Sequence, residues 1–431
     1  MIMDFTGKKL LILGGINLAC DIVLRAKQMG IYVIVADYNI DSPAKKIADE
    51  GVLIDAMNVD ALVSFCKDNS VDGVMTGFID ILLKPCMEVC NRLNLPCYLT
   101  DSMIELSTNK IVFKETCELY NVPVPHTYLV GDTLTEDILR EVKYPVFVKP
   151  LDSSGSRGAG VCYNREDLEV RFENAITYSP TNNAIIEDFI QGREFLMNII
   201  AQDGDYRMIS MFDRYSCSDR GAAINYANLS KGPSLSIDSY YGVLEDKVIN
   251  MFRSCGFKDG LFFLQGYSND GTITFFEMGC RLGGSYYDLE SECIGIDPIK
   301  LLISYAFTGR MIDNITDLPS TIGNYNCMGV CVNYLLSSSD KEETIYRIDG
   351  VNDIMKMSSC IHCEQRHREG DTYKIDKTID KPILCVYLKV DNLDQLISEV
   401  DYMNSVFDVY NKDGQSLLKE KFCPELLKSI I

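Results

Sequence analysis

The stretch Leu261-Phe-Phe-Leu-Gln265-Gly-Tyr-Ser-Asn-Asp270-Gly-Thr-Ile-Thr-Phe275-Phe-Glu277-Met-Gly279-Cys-Arg281-Leu-Gly-Gly284 holds two apolar runs around a tight turn. Asn269-Asp270-Gly271 tolerates the positive φ angles of a hairpin turn, so strands are predicted over Leu261–Tyr267 and Thr272–Met278. Gln265 falls on the first strand and Glu277 on the second. Cross-strand neighbours sit within about 5 Å of each other. Two oxygen-bearing side chains at that separation can share a hard cation, and Mg²⁺ prefers few protein ligands completed by phosphate oxygens. A hairpin with one outward glutamate is the plainer alternative. Arg281 follows on the same path, ahead of Gly283-Gly284-Ser285.

Working outward, Tyr144–Pro150 reads as an apolar strand carrying Lys149 near its end. Asp152-Ser-Ser-Gly-Ser-Arg-Gly-Ala-Gly160 comes next. Such a loop leaves main-chain N–H groups free to face phosphate oxygens, and a neighbouring lysine adds a point charge. It is not a Walker loop, because G-x-x-x-x-G-K-[ST] is absent. An exposed surface turn is the alternative reading of the loop by itself.

The first hundred residues alternate strand and helix patterns. Strands are expected at Leu10–Leu13, Tyr32–Ala36, Val52–Ile54, Gly73–Thr76 and Cys97–Leu99, with helices at Asn17–Met29, Val59–Lys67 and Leu82–Leu93. That alternation means a parallel sheet covered on both faces. Gly14-Gly15 with Asp37 gives only the opening glycines and the acid of a dinucleotide fingerprint. From about Ile322 the texture changes: strands at Met328–Leu335 and Ile383–Val390 and a helix at Leu393–Val406 read as a separate α+β domain. Cys360-Ile-His-Cys363 with His367 is half of a zinc pattern without a second pair; buried thiols are the alternative.

Composition bounds the function. The chain has 431 residues, 47% hydrophobic and 24% charged, enough apolar area for several cores and far from a disordered or fibrous composition. The net charge of −21 repels nucleic acid and anionic lipid, so an anionic substrate needs a local positive pocket. No apolar run approaches the roughly 18 residues that span a bilayer, and Met1–Lys9 lacks a leader pattern. Seventeen cysteines then read as reduced thiols of a cytoplasmic protein. Three histidines leave little room for a multi-histidine metal site.

The motifs come in one order: Ser107-Thr-Asn-Lys110 opening a helix, the strand lysine, the glycine–serine loop, Ile186-Glu-Asp-Phe-Ile190-Gln-Gly-Arg-Glu194, and the hairpin ending at Gly284. That order resembles the ATP-grasp superfamily, in particular the carboxylate–amine ligases similar to biotin carboxylase and the carbamoyl-phosphate synthase large subunit. The resemblance implies an α/β and α+β multidomain fold. A Rossmann-like pre-ATP-grasp domain would occupy residues 1–105. The ATP-grasp domain would occupy 106–315, with 145–185 as a mobile lid, and a C-terminal α+β domain 316–431. It further implies ATP and Mg²⁺, or Mn²⁺, as cofactors, and a homodimer by analogy with relatives.

The family's roles transfer position by position. Lys110 and Lys149 match phosphate-binding lysines, and Lys149 also acts in transfer. Ser153, Ser154, Gly155, Ser156 and Gly158 match the loop over the β- and γ-phosphates. Glu187, with the backbone of Asp188 and Ile190, matches the adenine hinge, and Glu194 the acid on the ribose. Gln265 and Glu277 match the metal ligands, and Arg281 the catalytic arginine on the transferred phosphoryl group. Arg214, Arg220 and Ser285 are substrate candidates. One position departs: relatives carry asparagine two residues after the second metal ligand, where this chain has Gly279, so one ligand for a second Mg²⁺ is missing.

The activity implied is ATP-dependent joining of a small-molecule carboxylate to an amine through an acyl phosphate. An amino acid or small peptide is the preferred amine, with a sugar-linked or nucleotide-precursor carboxylate left open. The alternatives are a carboxylase or carbamoyl-phosphate-synthase-like enzyme using bicarbonate, and an ATP-binding protein without turnover.

Overall fold

The computed structural model describes residues 5–152, 158–216, 229–318, 327–337, 339–375 and 381–429. In the N-terminal region β1 (Lys9–Leu13), β2 (Tyr32–Ala36), β3 (Glu50–Val52) and β4 (Gly73–Met75) form a parallel sheet in the order β3-β2-β1-β4. Successive residues of β1 feed two different cores: Leu10 and Ile12 pack on one face, Leu11 and Leu13 on the other. This double burial is why β1 reads as a continuous apolar run. The strand order reverses between β1 and β4, so the loops leaving their C-terminal ends border a crevice.

Two expectations shift here. The third strand lies two residues before Val52–Ile54, at Glu50–Val52. Cys97–Leu99 forms no strand. Tyr98 explains it: its hydroxyl donates to the Cys280 carbonyl at 3.0 Å and its ring sits edge-on to Tyr305, so the segment ties the N-terminal region to the centre.

Two helices follow, Asp101–Thr108 and Lys110–Leu119. Asn109 divides them, because its side chain accepts from the N–H groups of Ile111 and Val112 and restarts the helix with Lys110 at its first position. A second sheet follows, built from β5 (Thr127–Gly131), β6 (Val146–Pro150), β7 (Gly160–Cys162) and β8 (Ala184–Asp188) in the order β5-β8-β6-β7. The helix Arg165–Thr177 covers it through Leu168, Phe172 and Ala175.

The remaining long strands are β9 (Arg193–Gln202), β10 (Asp205–Tyr215), β11 (Leu229–Gly232), β12 (Gly260–Asn269), β13 (Thr272–Gly279) and β14 (Met328–Leu336). After them come β15 (Ser339–Thr344), β16 (Arg347–Asp349), β17 (Cys360–Gln365), β18 (Thr372–Ile375), β19 (Lys381–Val390) and β20 (Asp408–Tyr410). One eight-stranded sheet runs β13-β12-β9-β10-β11-β14-β19-β17, while β15 pairs with β18 and β16 with β20. The C-terminal region has its own core around Val332, Val386, Leu396 and Phe407, but β11 pairs directly with β14 and the sheet continues through it. No helix among the described residues is long and apolar enough to cross a membrane.

Candidate active site

The end of β6 and the start of the helix Lys110–Leu119 bring three lysines to one place. The Phe147↔Glu187 pairing of β6 and β8 sets Lys149 diagonally across from Glu187, and Lys149 Nζ donates to Glu187 Oε1 at 2.6 Å. Lys114, one helical turn after Lys110, donates to Glu187 Oε2 and to Thr127 Oγ1 at 2.9 Å. Lys110 donates to the Leu151 carbonyl at 2.9 Å, beside the start of the glycine–serine loop. All of Glu187, Lys114 and Lys149 are buried. Burial acts first on Glu187 and would raise its carboxyl; Lys149 and Lys114 outweigh it and hold the group below the usual range. Burial, and next the charge of Lys149, pull the Lys110 ammonium below its ordinary value.

The carboxylate of Glu187 is thus taken by two lysines. The Asp188 carboxylate accepts from the Tyr128 hydroxyl at 2.7 Å, and its N–H donates to the His126 carbonyl. Lys114 went unnoticed in the sequence, although its i,i+4 spacing from Lys110 was a usable signal.

The hairpin forms as read. Gln265 lies directly opposite Glu277, and a bulge follows between Gln265 and Gly266. Water still reaches the Glu277 side chain, but the protein packed around it makes the carboxylate costly. That burial pushes the carboxyl up, while Arg281, Lys110 and Lys149 hold back part of the rise and Asp80 adds to it. Glu277 therefore shares one electrostatic neighbourhood with both phosphate-candidate lysines and Arg281. A carboxylate and an amide oxygen facing each other are hard donors that fit one Mg²⁺ completed by phosphate and water.

Arg281 is held from the N-terminal region. Its Nε and Nη2 donate to the two carboxylate oxygens of Asp80 at 2.6 and 2.7 Å, and Nη1 donates to the Leu282 carbonyl at 2.9 Å. Its guanidinium also lies 5.0 Å from the centre of the Phe263 ring. Asp80 was not foreseen; it stands in the loop after β4, bordering the crevice where the strand order reverses.

The ribose candidate Glu194 and the substrate candidate Arg214 are cross-strand partners, with Arg214 Nη1 donating to Glu194 Oε1 at 2.6 Å. Ser285 is half-buried two residues before Tyr287. Gly158 is buried with φ +75°, against the Tyr178 side chain. Ser153, Ser154, Gly155, Ser156 and Arg220 lie outside the described residues.

Two weaker motifs serve the fold. Asp37 accepts from the N–H groups of Gly15 and Asn39, both at 2.7 Å, so its carboxylate caps the first glycine turn. A Cβ on Gly15 would lie 2.0 Å from Ser42 Oγ, which accounts for glycine there. The Cys360 and Cys363 thiols are 3.6 Å apart, but His362 packs on the Tyr387 ring and His367 lies toward Asp371. No group of three or more metal-ligating side chains occurs among the described residues.

These features together make a multidomain α/β fold of ATP-grasp-like architecture. Residues 125–227 match the family model described as D-ala D-ala ligase C-terminus. Two curated relatives are dapdiamide A synthase of Enterobacter agglomerans and a formate-dependent phosphoribosylglycinamide formyltransferase of Sulfurisphaera tokodaii. The chain is 23% identical to the synthase over 319 residues, 68% of this chain and 71% of that one. It is 26% identical to the formyltransferase over 188 residues, 43% of this chain and about half (47%) of that enzyme's length. Among solved structures, an L-amino acid ligase from Bacillus licheniformis superposes with a TM-score of 0.76 at 17% identity, covering 94% of this chain and 99% of that one.

Proposed function

We propose that this chain joins a small-molecule carboxylate to an amine at the expense of ATP, making an amide or peptide bond and releasing ADP and phosphate. The observation that carries the reading is the shared neighbourhood of Lys110, Lys149 and Arg281 with the facing pair Gln265 and Glu277. This is a cationic cradle with one hard-donor site, in a protein whose overall charge is strongly negative.

A carboxylate at neutral pH has no adequate leaving group. Its oxygen attacks the γ-phosphorus, the bond to the β-γ bridging oxygen breaks, and ADP departs. The amine nitrogen then attacks the acyl carbon; phosphate leaves with the former carboxylate oxygen, and the amine gives up a proton. Lys110 and Lys149 fix the phosphate chain, and Lys149 is itself fixed by Glu187. Arg281 offers the transferred group the two of its five N–H donors that Asp80 and Leu282 do not use. A Mg²⁺ held by Glu277 and Gln265 would neutralise charge developing on the β- and γ-phosphates.

The amine is an amino acid, a choice supported by the names of the L-amino acid ligase and dapdiamide synthase that the chain resembles. We place the protein in a reducing, cytoplasmic setting because of its seventeen cysteines. The test is phosphate release from Mg-ATP with pooled carboxylates and amines, followed by mass spectrometry of the products. A new amide appearing with ADP supports the reading. Bicarbonate-dependent turnover, or nucleotide binding without any product, overturns it.

A further inference from the structure

Gly279 sits where relatives carry an asparagine ligand, and the structure shows what occupies that space. Phe263 is its cross-strand partner, on the same face as Gln265 and Glu277. A Cβ placed on Gly279 would lie 2.1 Å from the Phe263 ring. Phe263 is buried, and its Cβ would also lie 2.4 Å from a Cβ on Gly283, so glycines pack it on two sides. Arg281 lies over the same ring, its guanidinium 5.0 Å from the ring centre. The donor set on this face is then one carboxylate and one amide oxygen.

A second divalent cation beside the first would need further hard oxygen donors from the protein in addition to those of the nucleotide. Here one carboxylate is available, and three cationic side chains, Arg281, Lys110 and Lys149, already act on it.

We infer that this site binds a single divalent cation with its nucleotide, and that Phe263 is a positioning residue, filling the missing ligand's place and holding Arg281 where a second cation's charge would otherwise act. The inference rests on the ligase reading above and adds to it how this chain's centre differs from its relatives. An aromatic face attracts a guanidinium, and the pairing strengthens when shielded from water. With Asp80 gripping one edge of the same guanidinium, the ring restricts its remaining freedom.

The test uses the wild-type protein with Mn²⁺ and a β,γ-imido analogue of ATP. Equilibrium dialysis should give one Mn²⁺ per bound nucleotide, and frozen-solution EPR should lack the splitting of two neighbouring Mn²⁺ ions. Two Mn²⁺ per nucleotide overturns the inference while leaving the ligase reading intact. Failure to bind the nucleotide overturns the ligase reading itself. For the positioning role, Phe263→Leu should lower kcat about tenfold with KM for ATP and the Mn²⁺ count unchanged, and Phe263→Tyr should restore kcat. A Phe263→Leu protein with wild-type kcat, or a Phe263→Tyr protein as slow as Phe263→Leu, overturns that role.

Discussion

Arg281 and Asp80 stand 201 positions apart in the chain and meet in a two-point ion pair, Nε to Oδ1 at 2.6 Å and Nη2 to Oδ2 at 2.7 Å. The pair bolts a loop of the N-terminal sheet to the end of the β12–β13 hairpin. Asp80 is partly open to water, so its value for stability is small, roughly 1 kcal/mol or less. Its value for activity lies in aiming the arginine. Asp80→Asn should therefore lower kcat about tenfold with little change in thermal midpoint, whereas Arg281→Ala should cost two to three decades, about 3–4 kcal/mol. Steady-state phosphate release on both variants checks this; equal rates for Asp80→Asn and wild type would remove the N-terminal loop from the mechanism.

The buried triad of Glu187, Lys114 and Lys149 predicts a large stability effect. Removing the shared carboxylate leaves two buried ammonium groups without their counter-ion, a loss of about 3–5 kcal/mol. Glu187→Gln should lower the urea midpoint accordingly at pH 7. The folded carboxyl is held below its ordinary value, so its contribution is present above the unfolded pKa and disappears as pH falls through the folded one. The gap between Glu187→Gln and wild type should therefore shrink on acidification, and a gap that widens would show the assignment to be wrong.

Glu290 predicts the opposite sign. It is buried in the helical segment Glu290–Ile294, against β9 and β10 of the eight-stranded sheet, accepting from Asn198 Nδ2 at 2.8 Å and from Ser210 Oγ, and burial pushes its carboxyl up to about 7. The folded state keeps a proton that the unfolded chain has released, so this group's contribution falls as pH rises from about 4.5 to about 7 and stays low above that. Glu290→Gln should gain stability relative to wild type across that interval and hold the gain at pH 8. Thermal melts from pH 5 to pH 8 measure it; a constant difference between the two proteins contradicts the assignment.

Divalent-cation affinity should also depend on pH through Glu277. Burial raises its carboxyl, so protons compete with Mg²⁺ at a higher pH than at an ordinary glutamate. Calorimetric titration with Mg-ADP should show affinity falling on acidification above the normal glutamate range. In Lys110→Ala the fall should begin at a higher pH still, because one of the charges opposing the rise is gone. An unchanged profile in that variant would place Lys110 outside the cradle.

What the sequence determined by itself is whatever local chemistry encodes. The Asn269-Asp270-Gly271 turn set the hairpin pairing from Asn269↔Thr272 to Gly266↔Phe275, and the bulge beyond Gly266 then put Gln265 opposite Glu277. The apolar run of β1 announced a doubly covered parallel sheet, and the lysine at the end of β6 was visible from its strand. Tertiary structure decided everything that depends on distant groups meeting. Lys114 turning inward to Glu187, Asp80 reaching Arg281, and β14 extending the central sheet leave no local pattern, because their partners lie far along the chain. Gly279 shows the boundary most clearly. From sequence it is a lost ligand; in the fold it is the space that Phe263 needs, since two cross-strand neighbours cannot both fill one volume.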